Sequence, residues 1–351
     1  MPLVLGGGTG YVTLGGTNGT MVLRPYGSDN LALGNNPSQR MFFTLTGTNG
    51  VISSTDASGV ARTTTVYVPI NEDQAGRGVT FDGLGTITLA TNNTYSGTSW
   101  LNGGTLQAND AGGLTNTSVE VLGSATLKAG GPIKALAVRT GQVNVQATTG
   151  RDVTISAFTH NSNTVTRFSG PASPTLGNGI TLPSGITNTN GILGGYATMN
   201  GSSWAYVNTN GMLDALSASA YVTSSVAGTV AANYANTNID VDVNQTITGI
   251  ITPNSLRFSV SGRSLNLAAG TNVIQSGGIL ITQAGNGGVN GGNVTSGSAD
   301  GSLTVFHEAG GSSWYFNSVL VDNGAQPVSL VLAGGGLLQA NNGYYHSGDT
   351  Y

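Results

Sequence analysis

The chain has no cysteine. Disulfides, thiolate-bound zinc, haem attachment through cysteine and thiol catalysis are thereby excluded. Charge is nearly as scarce. Asp, Glu, Lys and Arg make up 7% of 351 residues, against roughly 25% in an ordinary soluble domain. The net charge is −4, so the chain has no electrostatic attraction for nucleic acid or anionic lipid, and neither is expected as a partner. No stretch approaches the roughly 20 apolar residues of a membrane helix, and no membrane insertion is expected within this segment. The opening residues, "MPLVLGGGTGYVTLGG", have no basic region and only a very short apolar run, so they do not read as a signal peptide. Helix formers are sparse too. Gly, Thr, Asn, Ser and Val dominate, and all rank low in helix propensity.

What is present is glycine, at 56 residues, and 38% hydrophobic residues, which is not the profile of a disordered chain. Short strand signals recur throughout: "GTITLA", "VEVLGSATLKA", "QVNVQA", "DVTISAF", "SLNLAAG", "GILITQAG", "SLTVFHEAGG" and "VSLVLAGGG". Each alternates apolar with polar residues over a few positions and then meets Gly, Asn or Ser. In the C-terminal half Leu256, Leu280, Leu303 and Leu330 occupy similar places, 24, 23 and 27 residues apart. A period in the twenties fits one coil of a β-solenoid.

The scarcity of charge then has a physical reason. Counterpart residues in successive coils lie about 4.8 Å apart, where like charges repel, so Thr, Asn, Ser and Gly suit the outer face. The expected fold class is all-β, a right-handed parallel β-solenoid with irregular loop insertions. The four leucines are expected to point inward in neighbouring coils, and the whole chain to form roughly 14 coils. A β-sandwich array competes. It predicts hairpin turns of the Asn-Gly type, and "TNG" occurs at Thr17–Gly19, Thr48–Gly50, Thr189–Gly191 and Thr209–Gly211.

The stretch "GLGTITLATNNTYSGTSWLNGGTLQAND", Gly83 to Asp110, resembles the autotransporter-associated β-strand repeat, approximately G-x-G-T-L-x-L-x-G-x-N-T-Y-x-G-x-T-x-I-x-x-G-T-L. Gly85, Thr86, Leu89, Asn93, Thr94, Tyr95, Gly97, Gly104, Thr105 and Leu106 match it. Ala90-Thr91 stands in place of Ser-Gly, and Trp100 in place of a small or β-branched residue. A more degenerate copy spans Val328 to Tyr351. "GILGGYATMNGSSWAYVNTNG", "PNSLRFSVSGRSLNLAAG" and "SGGILITQAG" resemble the large surface proteins in which such repeats are embedded. The resemblance implies an extracellular β-helical stalk or passenger segment at the surface of a Gram-negative-type bacterium. It implies no ligand. Because "NNGYYHSGDTY" stops within a repeat, the chain is expected to be a segment of something longer.

Candidate chemistry is thin. Asp240 and Asp242 in "NIDVDVNQT" lie two apart, on one face of a strand. They are read as an exposed coil face rather than a calcium site or the acid–base pair of a polysaccharide-cleaving solenoid. Glu72, Asp73 and Arg257 are the other groups such an enzyme would have to recruit. "NEDQAGR", Asn71 to Arg77, is a polar loop. His160, His307 and His346 show no metal-ligand spacing. His307 and Glu308 are adjacent, so on a strand they point to opposite faces, and both are expected at the surface or a coil edge. "GGGTG" and "GNGGVNGGN" lack the helix or Gly-Lys-Ser/Thr of a phosphate cradle. Trp100, Trp204, Trp314, Tyr95, Tyr196, Tyr206, Tyr315, Tyr344 and Tyr345 are read as covering corners or core ends rather than as sugar platforms. Gly211 to Asn238, rich in Ala and Ser, is expected to be a loop or short helix outside the solenoid and the first choice for a contact surface.

The expected organisation is N-terminal β-rich coils over 1–75, a solenoid with the autotransporter-type repeat over 76–185, an irregular insertion over 186–240, and a solenoid ending in a partial repeat over 241–351. No catalytic residue, cofactor or metal is expected, and the protein is not read as an enzyme. The expected role is structural: an extracellular rigid stalk, adhesin-like passenger segment or fibre subunit. Head-to-tail self-association and a surface glycan or protein ligand are the expected partners. The alternative is a β-helical polysaccharide-binding or polysaccharide-degrading protein.

Overall fold

Short alternating runs such as "TITL" and "TSWL" become strands because every second side chain can be buried while its neighbour faces out. In the computed structural model these runs build a parallel, all-β solenoid of about 13 turns. The structure describes residues 11–14, 22–24, 31–33, 42–47, 49–109, 112–171, 174–175, 178–283 and 285–351. The turns fall into two units, Met1–Asn161 with Ser169–Pro183, and Ser162–Phe168 with Ser184–Tyr351.

The first unit has three walls. One begins with Tyr11–Leu14, Phe42–Leu45 and Ile70–Glu72 and is carried on by the Thr94 amide donating to the Ile70 carbonyl at 3.0 Å. The second runs Val22–Leu23, Asn49–Ser53, Gly78–Asp82, Thr98–Leu101, Leu114–Val121, Ile133–Val138 and Phe158–His160. The third takes in Leu31–Leu33, Thr63–Val66, Thr86–Leu89, Gly104–Ala108, Ala125–Ala129 and Gln142–Ala147. Pairing along each wall is parallel and in register apart from one irregularity between Leu114 and Ser118, so like stacks on like. Ile87, Leu106, Leu127 and Val145 form one inward row, and Phe81, Leu101, Val121 and Val138 another. Full burial of each such side chain contributes about 1.5–3 kcal/mol. Outward, Thr63, Thr86, Thr105 and Thr126 make a hydroxyl row.

The second unit holds another column. Its double-faced wall runs Val222–Thr223, Asn238–Asp240, Ser255–Phe258, Gly278–Ile281, Ser302–His307 and Ser329–Gly334, all parallel. The facing wall runs Gln245–Thr246, Ser264–Asn266, Gly288–Ser296, Ser313–Val321 and Leu337–Ala340. The ends of the two long strands turn to take Thr271–Ile274 and Tyr344–Tyr345 as partners.

The register departs from the leucine spacing at one position. Leu256 stacks on Ile279 and Leu303 on Leu330, all inside the column. Leu280 instead aligns with Arg257 and Phe306 and belongs to a second apolar cluster with Trp204, Tyr221 and Phe306. The expectation that all four leucines point inward is therefore corrected. A one-residue shift sends a side chain to the opposite face, and the pattern could not show it because Gly278–Ile281 is buried on both faces.

The outer cover is an antiparallel meander, Ala197–Met199, Ser203–Val207 and Leu213–Ala215. The Asn-Gly signal is valid here. Asn200 and Gly201 both have positive φ, 55° and 63°, as a tight hairpin between the first two strands requires. Asn190 and Gly191 do the same, closing a bridge between Thr189 and Ile192. The competing sandwich array is not what forms: both columns are parallel, and this meander is a local antiparallel cover. Thr17–Gly19 lies outside the described residues.

Gly211 to Asn238 does not sit outside the solenoid as expected. The helical turn Ser224–Ala227 and the turn Ala231–Tyr234 place Ala227 and Tyr234 in the core of the second column. The Tyr234 hydroxyl donates to the Gly228 carbonyl at 2.9 Å. Val226 and Val230 remain exposed on this segment.

Candidate functional site

The acids are held by local donors. Asp240 accepts 2.6 Å from Arg257 and 2.8 Å from Ser259. Asp242 accepts from the Ser225 amide at 2.8 Å and from the Ser224 and Ser225 hydroxyls. Desolvation works to raise the Asp242 pKa, but these donors hold it below the ordinary value. The fully buried Val241 separates the two carboxylates in sequence, consistent with alternation, yet they serve different partners. The expected exposed coil face is corrected: Asp240 is only 6% exposed and Asp242 half-buried, because the segments packed over this wall cover it. In the first unit Glu72 caps the Arg77 and Ser96 amides, each at 3.0 Å, and Asp73 pairs with Arg77 at 2.9 Å. Among the described residues no group of three or more His, Asp or Glu side chains is placed to hold a metal ion. No helix among them is long and apolar enough to cross a membrane.

The glycines of "GNGGVNGGN" serve stacking. A Cβ at Gly287 would sit 2.1 Å from the Arg263 carbonyl oxygen, and one at Gly288 would sit 2.1 Å from that of Tyr315. "GGGTG" lies outside the described residues. Most of the large aromatics are packing groups. Tyr95, Trp204 and Trp314 are buried, and Trp100 lies over Gly78, where a Cβ would meet its ring at 2.5 Å. Tyr344 and Tyr345 are exposed on the last coil.

His160 stacks on Phe158 with ring centroids 6.2 Å apart, and His346 donates from Nδ1 to the Val328 carbonyl at 2.7 Å. His307 and Glu308 do point to opposite faces. Glu308 pairs outward with Arg167 at 2.7 Å. His307, however, is not at the surface: it is 3% exposed. It lines a half-open cavity of about 170 Å³ together with Val305, Leu332, Ala333, Gly334, Gly336 and Leu338. The expectation failed because burial of His307 comes from "AGGG", 26 residues or more downstream, which brings Gly334 and Gly336 over the ring.

Sequence reasoning also missed the polar rungs that join the coils. Asn93 accepts from the Ile70 amide at 2.9 Å and donates to the Gly113 carbonyl at 3.1 Å. In the second unit Asn272 repeats the arrangement with Ile251 and Asn293. Each buried amide ties the coil before it to the coil after it. A second ladder runs along the facing wall: Asn266 donates to Thr246, Asn290 to Asn266, Asn317 to Asn290 and Asn341 to Asn317, at 2.8–3.1 Å. The available signal was the placement of Asn at matching points of successive coils, visible only once the register is known.

No protein-family model matches the chain, and no match is found among curated proteins or solved structures.

Proposed function

We propose that this chain is a structural segment of a bacterial cell-surface protein, a rigid extracellular stalk or passenger segment without catalytic activity. The observation that carries the reading is the asparagine ladder from Thr246 to Asn341, which joins successive coils through side chains as well as backbone. A column built this way resists bending because each coil is fixed to both neighbours. The resemblance of Gly83 to Asp110 to the autotransporter-associated repeat supports surface display. The same rungs suit head-to-tail addition: a parallel coil offers an open row of N–H, C=O and amide groups along its edge, and a heterologous contact of that kind propagates as a filament. A surface glycan or protein is the proposed ligand class for the outer faces.

Negative-stain images and light scattering across a concentration series test this reading. Rods that lengthen with concentration, little affected by moderate salt, are expected for a weakly charged stacking contact. Globular particles without rod-like segments contradict it.

A further inference from the structure

We propose that His307 is an acid-operated latch on the last coil of the second unit: protonation of its ring releases residues 329–351 from the strand Ser302–His307. The geometry is specific. Gly334 aligns with His307 in the parallel ladder, and the Gly336 amide donates to the His307 carbonyl at 3.1 Å. The chain passes so close that a Cβ at Gly336 would sit 1.9 Å from Nδ1. Neither ring nitrogen makes a well-formed hydrogen bond; the His307 and Ser312 carbonyls lie near enough only to favour the charged ring weakly, and the residues lining the cavity are otherwise aliphatic or glycine. A neutral imidazole fits there at modest cost, whereas an imidazolium would be a buried charge without a counter-ion.

The groups around the ring do not supply one. Strand Gly278–Ile281 beneath it, strand Ser329–Gly334 above it and strand Leu337–Ala340 beyond the corner contain no ionisable side chain. Ser313–Val321 contributes only Tyr315. Glu308 faces the other way and is engaged by Arg167. Burial therefore lowers the His307 pKa, against weaker opposing effects from Glu308 and from the His307 and Ser312 carbonyls. The last coil carries its own titratable contact, His346 on the Val328 carbonyl beside Asp322. The Val328 and Ser347 amides donate to Asp322, and its carboxyl lies below the ordinary range, so it stays ionised in mild acid.

The sign follows from linkage. The released coil, with an ordinary imidazole near 6.5, binds a proton before the latched coil does. Latching is complete above about pH 6.5 and weakens as pH falls below it, by about tenfold per pH unit until the latched ring itself titrates.

Hydrogen exchange of the purified chain, corrected for intrinsic rates, reads this directly between about pH 7.5 and about pH 5. Protection of 329–351 is expected to fall about tenfold per pH unit below about pH 6.5 relative to 255–281. His307→Gln, which cannot titrate, is expected to abolish that slope, and His346→Gln to keep it. Constant protection in the unsubstituted protein, or an equal fall in His307→Gln, overturns the proposal. Should His307→Gln not fold, the NMR titration of the His307 ring in the unsubstituted protein decides. A midpoint below the ordinary imidazole value supports the latch, and one at or above it overturns it.

Discussion

Arg257 lies with its guanidinium carbon 3.7 Å from the centroid of the Tyr221 ring while donating to Asp240 at 2.6 Å. Tyr221 in turn meets the Ser203 hydroxyl at 2.8 Å and accepts from the Trp204 amide at 3.2 Å. A charge on the double-faced wall is thereby joined, through one aromatic ring, to the meander that covers it.

Removing either partner should therefore loosen the cover and leave a largely buried charge unmatched. Arg257→Ala or Asp240→Ala is expected to destabilise the second unit by about 3 kcal/mol. Urea denaturation followed by the fluorescence of buried Trp204 measures it. Arg257→Lys is expected to recover only part of the loss, because an ammonium does not stack as a planar guanidinium does.

Gly278 is where the meander meets the wall. A Cβ there would lie 2.7 Å from the Trp204 ring and 2.7 Å from the Gly195 Cα. Gly278→Val is expected to displace Trp204 and to shift its emission to the red. Trp204→Ala is expected to cost about 3–5 kcal/mol as a large-to-small change in an apolar cluster.

Tyr95 carries a pH signature of the first column. Its hydroxyl contacts Ser99 at 2.7 Å, Ser99 contacts Thr117 at 2.9 Å, and Thr117 donates to the Gly97 carbonyl at 2.5 Å. Burial pushes the phenol up to about 12. A raised acid pKa means that the unfolded chain ionises first, so stability is full below about pH 10 and is lost as pH rises toward 12. Tyr95→Phe is expected to lower stability at neutral pH by about 1 kcal/mol and to flatten the alkaline decline. Chemical denaturation across that range measures both.

The asparagine ladder makes a further prediction. Asn290 donates to Asn266 and accepts from Asn317. Asn290→Asp keeps the size but removes the donor and sets a carboxylate against an amide oxygen. A loss of about 1–2 kcal/mol is expected, and Asn290→Ala should cost less if the polar face remains solvated. Thermal melts of both variants distinguish these outcomes.

How much of this was legible depended on whether one face or two were buried. "TITL" and "TSWL" announced their faces because their outer residues stay in solvent, and the Asn-Gly pairs at 190–191 and 210–211 announced turns, whereas that at 49–50 opens a parallel strand. Leu280 did not announce its direction, because the meander covers the wall and "GILI" has no polar alternation. His307 and Asn272 were hidden for another reason. Their surroundings are set by residues one coil away, and a neighbour 20 or more positions distant leaves no local pattern. The scarcity of charge was legible from composition alone and has its cause in the stacked rows.

The stacking itself can be measured directly, because the chain contains no cysteine. Thr86 and Thr105 are register partners on the outer face of adjacent coils, and Thr126 is the next in the row. At a coil spacing of about 4.8 Å, a Thr86→Cys/Thr105→Cys pair falls within the roughly 4.4–6.8 Å Cα range of a disulfide, and a Thr86→Cys/Thr126→Cys pair lies outside it. Under mild oxidation the first pair is expected to close within one chain and the second to stay open. Closure of the second pair, or failure of the first, would contradict in-register parallel coils.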